Sequence, residues 1–128
     1  MVLNSTLPTK VEDWFRASVA RDPSDPTRPD AIWLAVAFDI GVLIGETMIG
    51  RRPELEWAMV TRPKRDLSYQ RSVVTGFSVP GMHVDPVWQV SSLAFRVIEG
   101  WDEPGTFLKM LWNAKATENW SPRQVFGQ

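Results

Sequence analysis

The stretch DAIWLAVAFDIGVLIGETMIGRR, residues 30–52, decides how this chain folds. It is as long as a membrane-spanning helix, which needs about 20 apolar residues. Two acids, Asp39 and Glu46, lie in its interior. Apolar side chains cover almost its whole circumference, as is typical of a helix that is buried on all sides. Because an acid at mid-membrane costs about 2.5–3.5 kcal/mol, we predict a central buried helix over residues 30–50 and no membrane span.

Small residues recur along this helix. Ala37, Gly41 and Gly45 are four residues apart and form one smooth stripe. A glycine inside a helix costs about 1 kcal/mol relative to alanine, so the two glycines need a structural reason. We expect another segment of backbone to approach the stripe closely.

The flanking segments predict the other elements. Thr9 and Glu12 have the spacing of a capping box, which predicts a first helix over residues 10–21. Residues 23–29 are rich in proline and predict a connector. Alternating apolar residues predict an antiparallel hairpin over residues 55–77, followed by a turn-rich crossing over 78–86. Asp85-Pro86 predicts the start of another helix, and Asp102 the start of a final one.

Together these elements predict an α+β fold. About four helices pack around a small antiparallel sheet, in a single domain over residues 1–128. The chain has a formal net charge of -1, so no global basic field attracts nucleic acid. It has no cysteine, which excludes disulfides and thiolate metal sites. No secretory signal is recognisable at the N-terminus, so we expect a cytoplasmic protein.

Two hypotheses cover Asp39 and Glu46. The acids lie two turns apart on one helix face, about 10 Å along the axis. As buried structural acids, they would accept hydrogen bonds from basic groups, indoles or backbone. As an alternative active site, they would work with His83, the one histidine, in a small hydrolase or transferase. The nucleophile would then be a serine or a threonine, for instance Ser72 or Ser78. The structural hypothesis is favoured, because ion pairs perturb acids as readily as active sites do. We predict no metal, because one histidine, two distant acids and no cysteine make a poor zinc site. We also predict no cofactor, since neither GxGxxG nor a P-loop occurs.

Two groups of residues are candidates for binding a partner. One is a basic turn with Arg62, Lys64 and Arg65, which fits an acidic partner or simply an exposed turn. The other is a set of tryptophans at helix ends, Trp88, Trp101 and Trp120, which are suited to anchoring an interface or to capping the core. Nucleic acid is not expected as a partner, because the basic signal is local.

The run DIGVLIGE followed by RRPELEW, from Asp39 to Trp57, resembles a pattern in small uncharacterised bacterial proteins. In that pattern a helix ending in Gly-Glu leads into a strand whose tryptophan packs back on the helix. Some such domains are immunity or accessory partners of bacterial toxins. The resemblance implies a packed unit of helix and strand with Glu46 and Trp57 at its seam, and it implies no catalytic residue.

The leading hypothesis is therefore a non-catalytic bacterial protein that binds another protein. Its most concrete form is an immunity-type inhibitor of a toxin or effector. The chain carries no recognisable catalytic constellation, and it is rich in tryptophan. The enzyme described above is one alternative. A self-associating structural subunit, for example a homodimer, is the other.

Overall fold

The computed structural model describes residues 6–61, 64–65, 70–100, 104–107 and 109–110. In chain order the elements are α1 (Thr6–Ser18), β1 (Arg21–Asp22), β2 (Asp25–Pro29), α2 (Ala31–Arg51), β3 (Glu56–Met59), β4 (Ser72–Thr75), β5 (His83–Val84) and α3 (Pro86–Ile98). The predicted α+β class is confirmed. Where about four helices were expected, three complete ones lie within the described ranges, and residues 106, 107, 109 and 110 are also helical.

The main sheet has three antiparallel strands in the order β3-β4-β5. Trp57 pairs with Val74, which in turn pairs with Val84. The predicted hairpin over 55–77 is therefore present. The third strand lies in the segment predicted to be a turn-rich crossing, and it adds ladder hydrogen bonds that a two-stranded hairpin lacks.

A second, small hairpin replaces the predicted connector over 23–29. Arg21 pairs with Pro29 and Asp22 with Asp25. Ser24 closes the turn by donating to the Asp22 carboxylate from its hydroxyl at 2.7 Å and from its backbone N–H at 2.8 Å. These hydrogen bonds, the side-chain one first, lower the pKa of Asp22. Four of the five residues of β2 are exposed, so no alternation of apolar residues marks this strand in the sequence.

Helix α1 begins earlier than predicted, and the capping box is wrong. Thr9 lies inside the helix, and Glu12 is buried at its middle. The Glu12 carboxylate instead accepts hydrogen bonds from the backbone N–H groups of Gly105 at 3.0 Å and Phe107 at 2.7 Å. A carboxylate there satisfies N–H groups that a new helical turn leaves without partners. Glu12 therefore holds a distant segment against α1.

Helix α2 has the predicted position but not the predicted environment. Its buried residues all lie on one side: Ala37, Ile40, Gly41, Ile44, Gly45 and Met48. On the opposite side Ile32 and Leu43 are each more than half exposed, and so is Phe38, which lies on the flank between the two sides. The prediction of a helix buried all round is therefore wrong. Within the described residues, α3 and the sheet cover one side of α2 and leave the other side in contact with solvent.

The small stripe of α2 does admit another backbone, as predicted. A Cβ at Gly41 would lie 2.5 Å from the Cα of Val87, so α3 could not approach this closely if a larger residue stood there. Helix α3 begins at Pro86, and the Asp85 carboxylate caps it by accepting the Trp88 backbone N–H at 2.9 Å. Val90, Leu93 and Ala94 of α3 are fully buried. The α2–α3 contact thus forms the centre of the core.

Candidate functional site

An open groove lies where α2, the main sheet and the first turn of α3 meet. Its volume is about 420 Å³, within the range of about 300–1,000 Å³ that ligand sites occupy. Four of the side chains that line it are apolar or aromatic and two are polar: Phe38, Val42, Trp57, Val87, Arg71 and Ser72. Such a lining suits an apolar group that carries one or two hydrogen-bond acceptors.

Two glycines of α2 let two lining residues of this groove lie directly against the helix. A Cβ at Gly45 would overlap the ring of Trp57, so the indole can lie directly against the helix. Its Nε1–H donates to the Glu46 carboxylate at 3.2 Å, which fixes the orientation of the ring. Gly41 lets Val87 approach from α3 in the same way. Glu46 of α2 and Trp57 of β3 therefore lie in contact at the seam between the helix and the strand, and the helix continues past Gly45-Glu46 to Arg51.

The polar end of the groove is held by an ion pair. Arg71 Nε donates to Asp85 Oδ2 at 2.7 Å. The Asp85 side chain is 6% exposed, while that of Arg71 is 38% exposed. Because Asp85 also caps α3, one buried carboxylate orients both the helix and the guanidinium. The exposed part of Arg71 and the hydroxyl of Ser72 can donate hydrogen bonds to a carboxylate or a carbonyl.

Large exposed apolar side chains extend the surface beyond the groove. Phe38, which lines it, is 56% exposed. Met59 is 61% exposed and pairs across the sheet with the groove residue Ser72. Trp88 is 42% exposed and follows the groove residue Val87 on α3. Large apolar side chains left exposed on elements that border one groove are candidates for binding another molecule.

Asp39 and Glu46 lie on the exposed side of α2, not in the core. The prediction that they are buried is wrong, although Glu46 does accept a hydrogen bond from an indole, that of Trp57, as the structural hypothesis expected. The buried acids among the described residues are Glu12 and Asp85. Exposed Ile32 and Leu43 neighbour the two acids on this side of the helix. The outer side of α2 is therefore apolar with two negative charges.

The structure does not bring Asp39 and Glu46 together with His83. His83 pairs with Thr75 in the main sheet. Trp57 lies in the neighbouring row of paired residues, whose side chains are on the other face of the sheet. Since side chains alternate between faces, His83 lies on the face away from the indole that contacts Glu46. The sheet separates the imidazole from these acids. Within the described ranges, no group of three metal-binding side chains forms a candidate metal site.

Of the other residues predicted to contact a partner, some lie within the described ranges and some lie outside them. Lys64 and Arg65 are exposed at a turn, and Trp88 is exposed in the first turn of α3, directly after the groove residue Val87. Arg62, Trp101 and Trp120 lie outside the described residues. The groove itself was not predicted. Its signals in the sequence were the pair Gly41 and Gly45, which required close neighbours, and Arg71, whose partner Asp85 is 14 residues away.

Helix α2 is the one helix in the described part of the chain that is long and apolar enough to cross a membrane. Length and composition alone are weak evidence, since the core helix of a soluble protein passes the same test. Of its most apolar 18 residues, 33% are buried, so packing within the chain leaves much of this helix exposed.

Comparisons with protein-family models, with curated proteins and with solved structures found no match to this chain.

Proposed function

We propose that this chain is a non-catalytic protein that binds another protein through one continuous surface, named here the α2 surface. It consists of the groove, its rim and the outer side of α2. The observation that carries the proposal is the exposure of Phe38 and Leu43, at 56% each, on a helix whose opposite side is packed in the core. Large apolar side chains on an ordered helix, beside a preformed groove, are typical of the helical grooves and faces that bind partner segments.

The most concrete form of this proposal is an immunity-type inhibitor of a toxin or effector, acting in the cytoplasm. The sequence resemblance suggests that form. Glu46 and Trp57, which define the resemblance, are part of the α2 surface, and the hydrogen bond between them orders it. Ordering before binding lowers the entropic cost of association. This supports a pre-formed contact surface of the kind that a tight inhibitor needs.

Catalysis by Asp39, Glu46 and His83 is not proposed, because the sheet separates the histidine from the acids. A membrane-spanning role for α2 is also not proposed. Its two acids lie among the residues that would face lipid, and each would cost about 2.5–3.5 kcal/mol there. If the chain remained in the membrane fraction until detergent was added, the proposal of a soluble binder would fail.

The test is affinity capture of protein partners from the native cells. The double variant Phe38→Ser/Leu43→Ser changes the α2 surface. The matched control Leu7→Ser changes an apolar side chain that is 47% exposed on α1. We expect the wild type and the control to retain one partner in stoichiometric amount and the double variant to lose it. Equal recovery by all three proteins, each folded by circular dichroism, would contradict the proposal.

A further inference from the structure

We infer that the partner presents a basic amphipathic helix to the α2 surface, with two lysines or arginines seven residues apart that contact Asp39 and Glu46. This inference rests on the proposed function and adds the chemistry of the partner. Three features of the α2 surface carry it: the spacing of its apolar residues, the spacing of its acids and the charge balance of the groove.

The outer side of α2 contains two series of residues with a period of seven. Ile32, Asp39 and Glu46 form the first, and all three are exposed. In the second series Ala35 is exposed and Val42 is half-buried, while Ile49 at its end is half-buried and packs against the core. Paired series of this kind form the seam along which two helices pack. In α2 the first series has acids at two consecutive positions, where opposite charges on a partner helix would form ion pairs, in addition to the hydrogen bond that Glu46 accepts from Trp57.

The distance between the acids fits a helix better than a strand. Seven residues of α-helix rise about 10.5 Å. A partner helix therefore matches both acids with residues seven apart, which lie on one face. Side chains on one face of a strand are separated by about 6.7 or 13 Å, and neither distance matches. An extended segment could pair with one acid at a time, whereas a helix could pair with both.

The negative charges of the two acids also argue against two other occupants of the α2 surface, namely a second copy of the chain and an anionic membrane. In a parallel pair of two copies, each acid would meet its own equivalent. In an antiparallel pair centred between the acids, Asp39 would meet Glu46, because both are equally far from the midpoint. Either arrangement places like charges together. An anionic membrane surface would be repelled by the same acids.

The groove adds no positive charge that would oppose a basic partner. Its one cation, Arg71, is already paired with Asp85. Phe38 and Val42 line the groove and lie on the same helix as the acids. An apolar side chain of the partner helix, next to its cations, can therefore enter the groove while the cations contact Asp39 and Glu46.

The test uses two dye-labelled synthetic helical peptides of the same length as α2 and with the same leucine-rich apolar face. One peptide carries lysine at two positions seven residues apart, and the other carries glutamate there. Binding is followed by fluorescence anisotropy. We expect the lysine peptide to bind the wild type at least about tenfold more tightly, with the difference shrinking in 1 M salt. In Asp39→Lys/Glu46→Lys we expect the preference to invert.

The matched control is Asp13→Lys/Glu99→Lys, which changes the net charge equally at two exposed acids on α1 and after α3. We expect it to keep the preference of the wild type. Equal binding of both peptides, binding of neither, or inversion in the control would overturn the inference. So would self-association of the wild type in sedimentation, or binding to vesicles of anionic phospholipid. The capture experiment with Phe38→Ser/Leu43→Ser judges the proposed function separately, because it requires no particular charge on the partner.

Discussion

The two sides of α2 are similarly apolar, yet one is buried and the other is exposed. The residues that permit the closest contacts on the buried side are small, namely Ala37, Gly41 and Gly45. The exposed side carries large residues, including Ile32 and Leu43. The buried side also carries the large residues Ile40, Ile44 and Met48, so the two sides differ in the small residues that admit close contacts and in the exposed acids Asp39 and Glu46. Small residues let α3 and Trp57 approach the helix axis, and the large residues on the other side remain available to a second molecule.

The largest expected effect is a difference in stability. It is found by replacing one large residue on each side of α2 with alanine. Met48 is fully buried and Leu43 is 56% exposed. We expect Met48→Ala to lower the free energy of unfolding by about 2–5 kcal/mol, because it leaves a cavity in the core. We expect Leu43→Ala to change it by less than about 0.5 kcal/mol. Urea unfolding of both variants measures the difference, and similar losses would break the comparison.

A smaller effect is expected from two glycines of the same helix. A methyl group at Gly41 would meet the backbone of Val87, whereas one at Gly50 would meet nothing within 4 Å. We expect Gly41→Ala to destabilise the fold by about 1–3 kcal/mol through overpacking. Gly50→Ala should be neutral or stabilising by up to about 1 kcal/mol, because alanine favours the helix. Thermal unfolding gives both values. A stabilising Gly41→Ala would show that α3 is not held against α2 at this point.

Much of the fold could be predicted from local patterns. The alternation in residues 55–77 predicted the hairpin, and Asp85-Pro86 predicted the start and the cap of α3. Gly41 and Gly45 predicted close contacts because a glycine inside a helix has a known cost. These features depend on neighbouring residues or on a single backbone position, so the sequence alone contains their signal.

The side of α2 that faces the core could not be predicted from the sequence. A helix that is apolar all round has no amphipathic direction, so we expected burial on all sides and, with it, buried acids. The buried acids are instead Glu12 and Asp85, and their partners lie far along the chain: Phe107 is 95 residues from Glu12, and Arg71 is 14 residues from Asp85. The groove depends on such long-range pairs, which no local sequence pattern predicts.

The most direct test of the central claim is the reactivity of single cysteines in a chain that has none of its own. Leu43→Cys places a thiol on the outer side of α2, and Met48→Cys places one on the buried side. In the purified chain without detergent, we predict rapid maleimide labelling of Leu43→Cys and strong protection of Met48→Cys. Adding the captured partner should then protect Leu43→Cys as well. Protection of Leu43→Cys in the monomeric chain before any partner is added would contradict the account.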